Sequence, residues 1–381
     1  MKFVAFRVFF VIFSMGLFFY PAVFFAQEDN GEAPRLVEDE FYKGKVIAVE
    51  KEEIQDEFGA PLFIQYLSVE VTSGPDIGKR LSLPYEVHEN NIEARKLLPG
   101  RRLVIGKQIP IDGEPLFYVS DVYRLNAVWW IVGVFFLLTV YFARWQGIRA
   151  FLGLAISFFL LFFVIVEKIV GGSSPVLASM VGVLLIATIS LYIAHGFRMR
   201  TSIAFVSTLI TIGLSFLFAT LFVRASHLFG FGTEEAFFLQ FAPIEHIDLR
   251  GILLAGIMLG VLGVLDDVTT AQAATVEEIH RANTSLGFTE LYQRGLSVGR
   301  EHIVSLVNTL ALAYTGASFP LLLLFYIYER PLWVTLNSEI ILEEVIRILV
   351  GSITLIFAVP ITTMLAAWWY HARPSFESRN P

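Results

Sequence analysis

From Asn126 onward the apolar positions do not recur at helical or strand spacing but come in long, nearly unbroken runs, with most charges gathered in short connectors between them. A hydrocarbon core of about 30 Å needs roughly 20 helical residues at 1.5 Å each. On that scale spans are predicted at 126–143, 150–170, 176–194, 202–223, 251–270, 303–326 and 345–367. A further apolar run, Val8 to Phe25, follows Lys2 and Arg7. It exceeds the about 7 to 15 apolar residues of a cleavable signal, and Phe24 stands where cleavage needs a small side chain, so residues 1–26 read as a retained anchor rather than a signal peptide. Together these make about eight spans.

Residues 27–125 have a different texture. Segments rich in Val, Ile, Tyr and Phe, at 44–50, 63–72, 79–84, 101–109 and 116–123, are separated by turn signals such as Ser73-Gly74-Pro75-Asp76, Pro99-Gly100 and Asp112-Gly113. Five short strands with such turns predict a small all-β barrel like an OB-fold. The chain is thus expected to be an α-helical integral membrane bundle, 126–381, carrying a small all-β domain, 27–125.

Composition sharpens this. Of 381 residues 55% are hydrophobic and 17% charged, with a mean hydropathy of +0.65, which excludes a wholly soluble enzyme. The net charge of −7 lies entirely in 27–125, which holds 19 acidic and 12 basic residues. An acidic barrel without a basic, aromatic-interleaved stripe is no nucleic-acid binder. The absence of Cys removes thiolate metal sites, iron–sulfur ligation and Cys nucleophiles.

Arginines mark one side of the membrane. The connectors holding Arg144 and Arg149, Arg198 and Arg200, then Arg281, Arg294 and Arg300, and finally Arg373 and Arg379, alternate with Gly171-Gly172 and with the loops 224–250 and 328–344. The positive-inside rule makes the basic side cytoplasmic. With the N-terminal anchor retained, both termini are cytoplasmic in a cell membrane, and the barrel is extracytoplasmic. Trp129, Trp130, Trp145, Trp368 and Trp369 fall at span ends, as interfacial aromatics do.

Polar groups enter the membrane in two places. Gly251 to Leu265 is apolar or small throughout, but at about 23 Å it is too short to span, so its helix must continue through Asp266 and Asp267. Carboxylates there cost several kcal/mol unless a partner or water meets them. Thr270 and Glu277 follow on the Asp266 side at helical spacing, and Gly256, Gly260 and Gly263 let a neighbouring helix approach closely. The next span begins with Glu301 and His302 and carries Ser305, Asn308 and Thr309, a polar stripe that continues to Thr315. Asn308 lies about 8 Å inside, level with the aspartates. Gly316, Ser318 and Pro320 can break that helix mid-membrane.

Plainer readings stand beside these. Asp266 and Asp267 could end a span and pair with Arg281 or Arg300; Asn308 and Thr309 could join helices; Pro320 could be a kink. Glu167 and Lys168 read as boundary residues, and Glu343 with Arg347 as a helix pair. Glu245, His246 and Asp248 form a weak candidate metal set.

At Gly263-Val-Leu-Asp-Asp-Val-Thr-Thr-Ala-Gln-Ala, Val298-Gly-Arg-Glu-His and Asn308-Thr-Leu-Ala-Leu-Ala-Tyr the chain resembles the YibE/F-like family of bacterial multi-pass membrane proteins. His195-Gly196-Phe197, Asp248-Leu249-Arg250-Gly251 and Ser318-Phe319-Pro320-Leu321 fall in the expected order around them. The resemblance implies topology and marks Asp266, Asp267 and the polar start of the next span as a signature region. It implies no catalytic or metal assignment.

Two functions are expected from these features. One is a transporter, cation- or proton-coupled, whose oxygen ligands suit a hard cation, with no resident cofactor. The other is a non-transporting envelope sensor or scaffold whose barrel binds an envelope partner. Both sit in the lipid bilayer and are compatible with homo-oligomers. Protease chemistry is disfavoured, because the aspartates are neighbours on one helix and no HExxH occurs. Cys introduced at Ser73 is expected to label from outside intact cells and Cys at Thr284 only after permeabilisation; the reverse pattern overturns the topology. Lys2 in the intact mass of the mature protein would identify the anchor.

Overall fold

The computed structural model describes residues 39–57, 60–87, 95–109, 115–241, 247–328 and 331–372. The expected anchor at 1–26 lies outside them. The chain divides into two compact units, one ending at Leu138 and the other running from Thr139.

The first unit is a curled five-stranded antiparallel sheet, a half-barrel. Its strands β1 (Asp39–Glu57), β2 (Ala60–Val71), β3 (Arg80–Val87), β4 (Arg102–Gln108) and β5 (Leu116–Val122) match the five expected segments and lie in the order β3-β2-β1-β4-β5. β1 is long because it serves two partners: Asp39 to Lys45 pairs with β4, and Gly44 to Glu57 with β2. Register shifts between Val46 and Ala48 and between Val49 and Lys51 are bulges that bend it. At the changeover a Cβ on Gly44 would lie 2.4 Å from Ile105 Cδ1, so only glycine lets the strands curl this tightly. The alternation of each strand buries Val46, Leu67, Val69, Leu103 and Ile105 inside. The edge strands β3 and β5 approach each other, although no hydrogen-bonded ladder joins them among the described residues.

Gln65 is the polar exception in this core. Its side-chain oxygen accepts the Leu97 N–H at 2.8 Å and its amide donates to Glu52 Oε1 at 2.9 Å, which holds the segment before β4 against β2.

The second unit is a bundle of apolar helices. Among the described residues five helical stretches have the length and composition to cross a membrane, and a bent pair makes a sixth. The first, of 46 residues, comprises α1 (Leu125–Leu160), a π-helical turn (Leu161–Val166) and α2 (Glu167–Val170). A straight helix of that length would measure about 69 Å, twice a bilayer core. It is not straight: Arg144 has φ 51° and ψ −128°, and a Cβ on Gly147 would lie 2.6 Å from the Thr139 carbonyl oxygen, a separation that eight residues of continuous helix would make about 12 Å. α1 therefore turns back sharply at Arg144, a hairpin whose turn falls between the stretches expected as spans at 126–143 and 150–170.

After it come α3 (Pro175–His195), α4 (Met199–Ala225), the short α5 (Glu234–Leu239), α6 (Leu249–Ala282), α7 (Phe288–Ala317), α8 (Phe319–Ile327), α9 (Leu332–Leu336) and α10 (Glu339–His371). α7 and α8 form the bent pair, turning 60° at Ser318 before Pro320. α6 packs against α3, α4, α7 and α10. Its apolar residues Ile257, Met258, Val261 and Leu265 are almost fully buried at the centre of the largest core cluster.

Replacing Gln65 by Ala should leave the buried Leu97 N–H unsatisfied and cost about 1 to 3 kcal/mol. Hydrogen exchange in the full-length protein should show selective loss of protection at 95–99; unchanged protection there would contradict the assignment.

Candidate functional site: a carboxylate cavity between α1, α3 and α6

The sequence keeps α6 helical through its two aspartates because Leu262, Leu265, Val268 and Thr269 around them face other helices. Adjacent helical residues point about 100° apart, so the carboxylates meet different surroundings. Asp266 turns toward α3. Its Oδ2 lies 3.5 Å from Ser190 Oγ, while Oδ1 is buried and has no hydrogen-bond partner. Asp267 is exposed.

Both line a cavity of about 770 Å³ walled by α1 on both sides of its turn, from Thr139 on, by the C-terminal half of α3 and by α6. Two local features shape its wall. Gly153 faces Ser190, where a Cβ would stand 3.3 Å from the hydroxyl, so α1 can lie close to α3 at this level. The π-helical turn then shifts the α1 register at Leu161, which forms part of the wall.

Cations gather where α3 stops. Gly196, at φ 78°, ends the helix, and Arg149 from α1 donates through Nε to the Ile193 carbonyl at 2.7 Å, so a cation caps the negative end of the helix dipole. Arg198 and Arg200 follow on the same rim, beside His195. Arg200 is committed to Glu277, 3.6 Å away, which also holds Arg281 at 2.8 Å. No ion pair joins Asp266 or Asp267 to a cation among the described residues, although cations line the same chamber. A smaller hollow of about 260 Å³, lined by His195, Arg200, Thr201 and Thr270, lies next to it. Chemically the site offers carboxylate acceptors against apolar walls, with guanidinium donors at one end.

The YibE/F-like family model matches residues 131–372, which is more than half of the chain and contains every helix of the bundle after the start of α1. The chain belongs to the YibE/F-like family. No curated protein and no solved structure matches it. The match covers the whole cavity and leaves the half-barrel outside.

In this YibE/F-like bundle the residues expected to form one site are distributed over two places. Asp266, Asp267, Thr270 and Glu277 line the cavity, the adjoining hollow or its arginine rim, with Thr270 Oγ1 donating back to the Asp266 carbonyl at 2.8 Å. Glu301, His302, Ser305, Asn308 and Thr309 are all exposed, and Glu301 and Asn308 lie on the side of α7 opposite Gly295, Gly299 and Leu310, which pack against α6 and α10. None of those five lines the cavity. The glycines also differ. A Cβ on Gly260 would meet the Tyr314 hydroxyl at 2.7 Å, whereas Gly256, Gly263 and Gly316 face open space. The tight helix contact falls instead at Gly295 and Gly299, against Val276, Gln272, Thr363 and Val359.

The candidate metal set falls largely outside the described residues. Glu245 and His246 lie outside the described residues, Asp248 caps α6 by accepting the Gly251 N–H at 2.9 Å, and no group of three His, Asp or Glu that could hold a metal occurs among the described residues. Arg347 pairs with Glu344 rather than with Glu343, because Glu343 accepts the Gly232 N–H at 3.0 Å.

Sequence reasoning passed over Arg149 and Ser190, whose roles depend on helix packing. It also missed a buried hydroxyl seam, in which Ser207 bonds Thr362 and Thr208 bonds Thr269 at 2.9 Å, joining α4 to α10 and to α6. Ser and Thr at 201, 208, 211 and 215 recur at helical steps and could have signalled it. Cys substituted at Ser157, on the cavity wall, should react with a small water-soluble maleimide in the native protein, and Cys at Thr208 in the seam should not. Equal protection of both would mean that the chamber is dry.

Proposed function

We propose that the protein is a membrane transporter and that the cavity beside Asp266 is its substrate or ion site. The observation that carries this reading is Asp266, whose Oδ1 is buried without a partner and which lines a chamber large enough for water or a solute. A protein group left in that state within an apolar bundle costs several kcal/mol, and a proton, a cation or a polar solute would offset the cost. In this reading Asp266 is the inner ligand and Asp267 the outer one. Glu277, holding Arg200 and Arg281, fixes the rim.

The membrane arrangement follows the same reading. The two arms of the hairpin, α3, α4, α6, the bent α7–α8 pair and α10 supply seven crossings, and the N-terminal anchor an eighth. The arginine-bearing connectors face the cytoplasm, so the cavity opens inward. The half-barrel lies outside, and its strand order, with β3 approaching β5, is the one an OB-like closure needs. The α7 residues Glu301, His302, Ser305, Asn308 and Thr309 stand outside the ligand shell.

An untargeted comparison of metal and metabolite contents in cells with and without the protein should reveal an accumulated or depleted solute. Asp266→Asn should then reproduce the deletion phenotype at normal expression, because neutralising the group removes a desolvation cost instead of adding one. Asn308→Leu should be milder than Asp266→Asn. Full function in both Asp266→Asn and Asp267→Asn would refute the site.

A further inference from the structure

Charges of both signs line this cavity without neutralising each other. On the acidic side are Asp266, bonded only weakly to Ser190, and Asp267. On the basic side, Arg149 binds the Ile193 carbonyl and Arg198 has no ion pair among the described residues. Ser190 and Ile193 are three residues apart on one helix, so the α3 groups met by Asp266 and by Arg149 lie about 4.5 Å apart along its axis. An Arg and an Asp on flexible side chains that close would normally join, as Arg200 and Glu277 do nearby at 3.6 Å. They are kept apart because Arg149 is held by the helix end, Asp266 is held in the α3–α6 contact, and the chamber lies between them.

A plain cation would satisfy the aspartates and leave the arginine end uncompensated. A plain anion would do the reverse. A solute carrying both charges would meet both ends at once, and the volume of about 770 Å³ accommodates more than a dehydrated ion. The apolar wall of Leu154, Phe158 and Leu161 would accept an attached hydrocarbon portion.

We propose that the cavity takes a zwitterionic ligand, a molecule with an ammonium group and a carboxylate or phosphate a few ångströms apart, its ammonium at Asp266 and Asp267 and its anionic group at Arg149 and Arg198. This rests on the cavity being the substrate site and names the class of substrate. Such a head group can come from a free metabolite or from a zwitterionic phospholipid.

The chain has no Cys, so a single Cys at Gly263, which lines the cavity and faces open space, reports occupancy by its rate of alkylation. The full-length protein is placed in nanodiscs of phosphatidylglycerol alone, and β-alanine and O-phosphoethanolamine are compared with ethylamine, acetate, methyl phosphate, sodium and magnesium. In a parallel arm, phosphatidylethanolamine replaces half of the lipid. Alkylation should slow at least tenfold with a soluble zwitterion, or in the phosphatidylethanolamine discs if the head group belongs to a lipid, while the single-charge compounds leave the rate unchanged. The protection should be lost with Asp266→Asn and equally with Arg198→Gln, an exposed position where the fold is not at risk. Protection by ethylamine, sodium or magnesium that survives Arg198→Gln would overturn the zwitterion and leave a cation site standing. Indifference to every probe and to both lipids overturns the proposal, and if Asp266→Asn also leaves cellular solute contents unchanged, the transport site falls with it.

Discussion

Hydrocarbon offers a polar group no hydrogen bond, and the arrangement around α6 follows from that constraint. Two buried polar side chains on this helix are answered by neighbours: Thr269 by Thr208 of α4, Gln272 by the Gly295 carbonyl of α7 at 2.9 Å and by Thr363 of α10 at 2.7 Å. Such interhelical bonds are worth only about 0.6 to 2 kcal/mol each, but they work in one register alone, so they fix which helices meet and at what height. Glycines at 295 and 299 allow Gln272 to reach its partners, since a Cβ at Gly299 would stand 2.9 Å from the Gln272 side-chain oxygen. Asp266 Oδ1, one turn from Thr269 on the same helix, has no such partner.

The same economy of polar groups ties the other end of α10. Glu339 accepts N–H groups from Phe229, Gly230 and Phe231 at 2.6, 2.8 and 3.2 Å, and Glu343 takes the next one, from Gly232. The Gly230 backbone, at φ 87°, curls the loop so that its amides converge on one carboxylate, which acts as a built-in anion in a backbone nest. The loop after α4 is thereby anchored to the first turn of α10, and Arg250 adds a bond to the Leu228 carbonyl at 2.9 Å. The bundle is fastened at both ends of its central helices, and the cavity lies off to the side formed by α1 and α3.

Much of this was legible from the chain alone, because apolar run length and strand alternation are local signals. The five strands, the helix running on through Asp266 and Asp267 and the break beside Pro320 all follow from such signals. The meeting of residues on different helices is not local. The stripe from Glu301 to Thr309 shows that α7 has a polar face but not whether that face turns in or out; Gly295 and Gly299 decide it, and nothing in their own sequence context says they are the packed side. Gly256 and Gly263 match the small-residue spacing of a helix contact that no described neighbour fills. Arg149 became part of the site only because the hairpin at Arg144 and the end of α3 bring a span-terminal arginine to another helix's last carbonyls.

That hairpin has a consequence for biogenesis. Its arms are joined through a single residue of non-helical geometry, with Gly147 held against Thr139, so no connector is available for one arm to be released into lipid while the other waits in the insertion machinery. If both arms cross the bilayer as proposed, they enter it as one object with Arg144 at the tip. Only when α3 follows does Arg149, five residues further on, find the carbonyls it caps. The wall of the cavity is therefore assembled in the order of synthesis, its arginine delivered before the helix end that orients it, and its aspartates last.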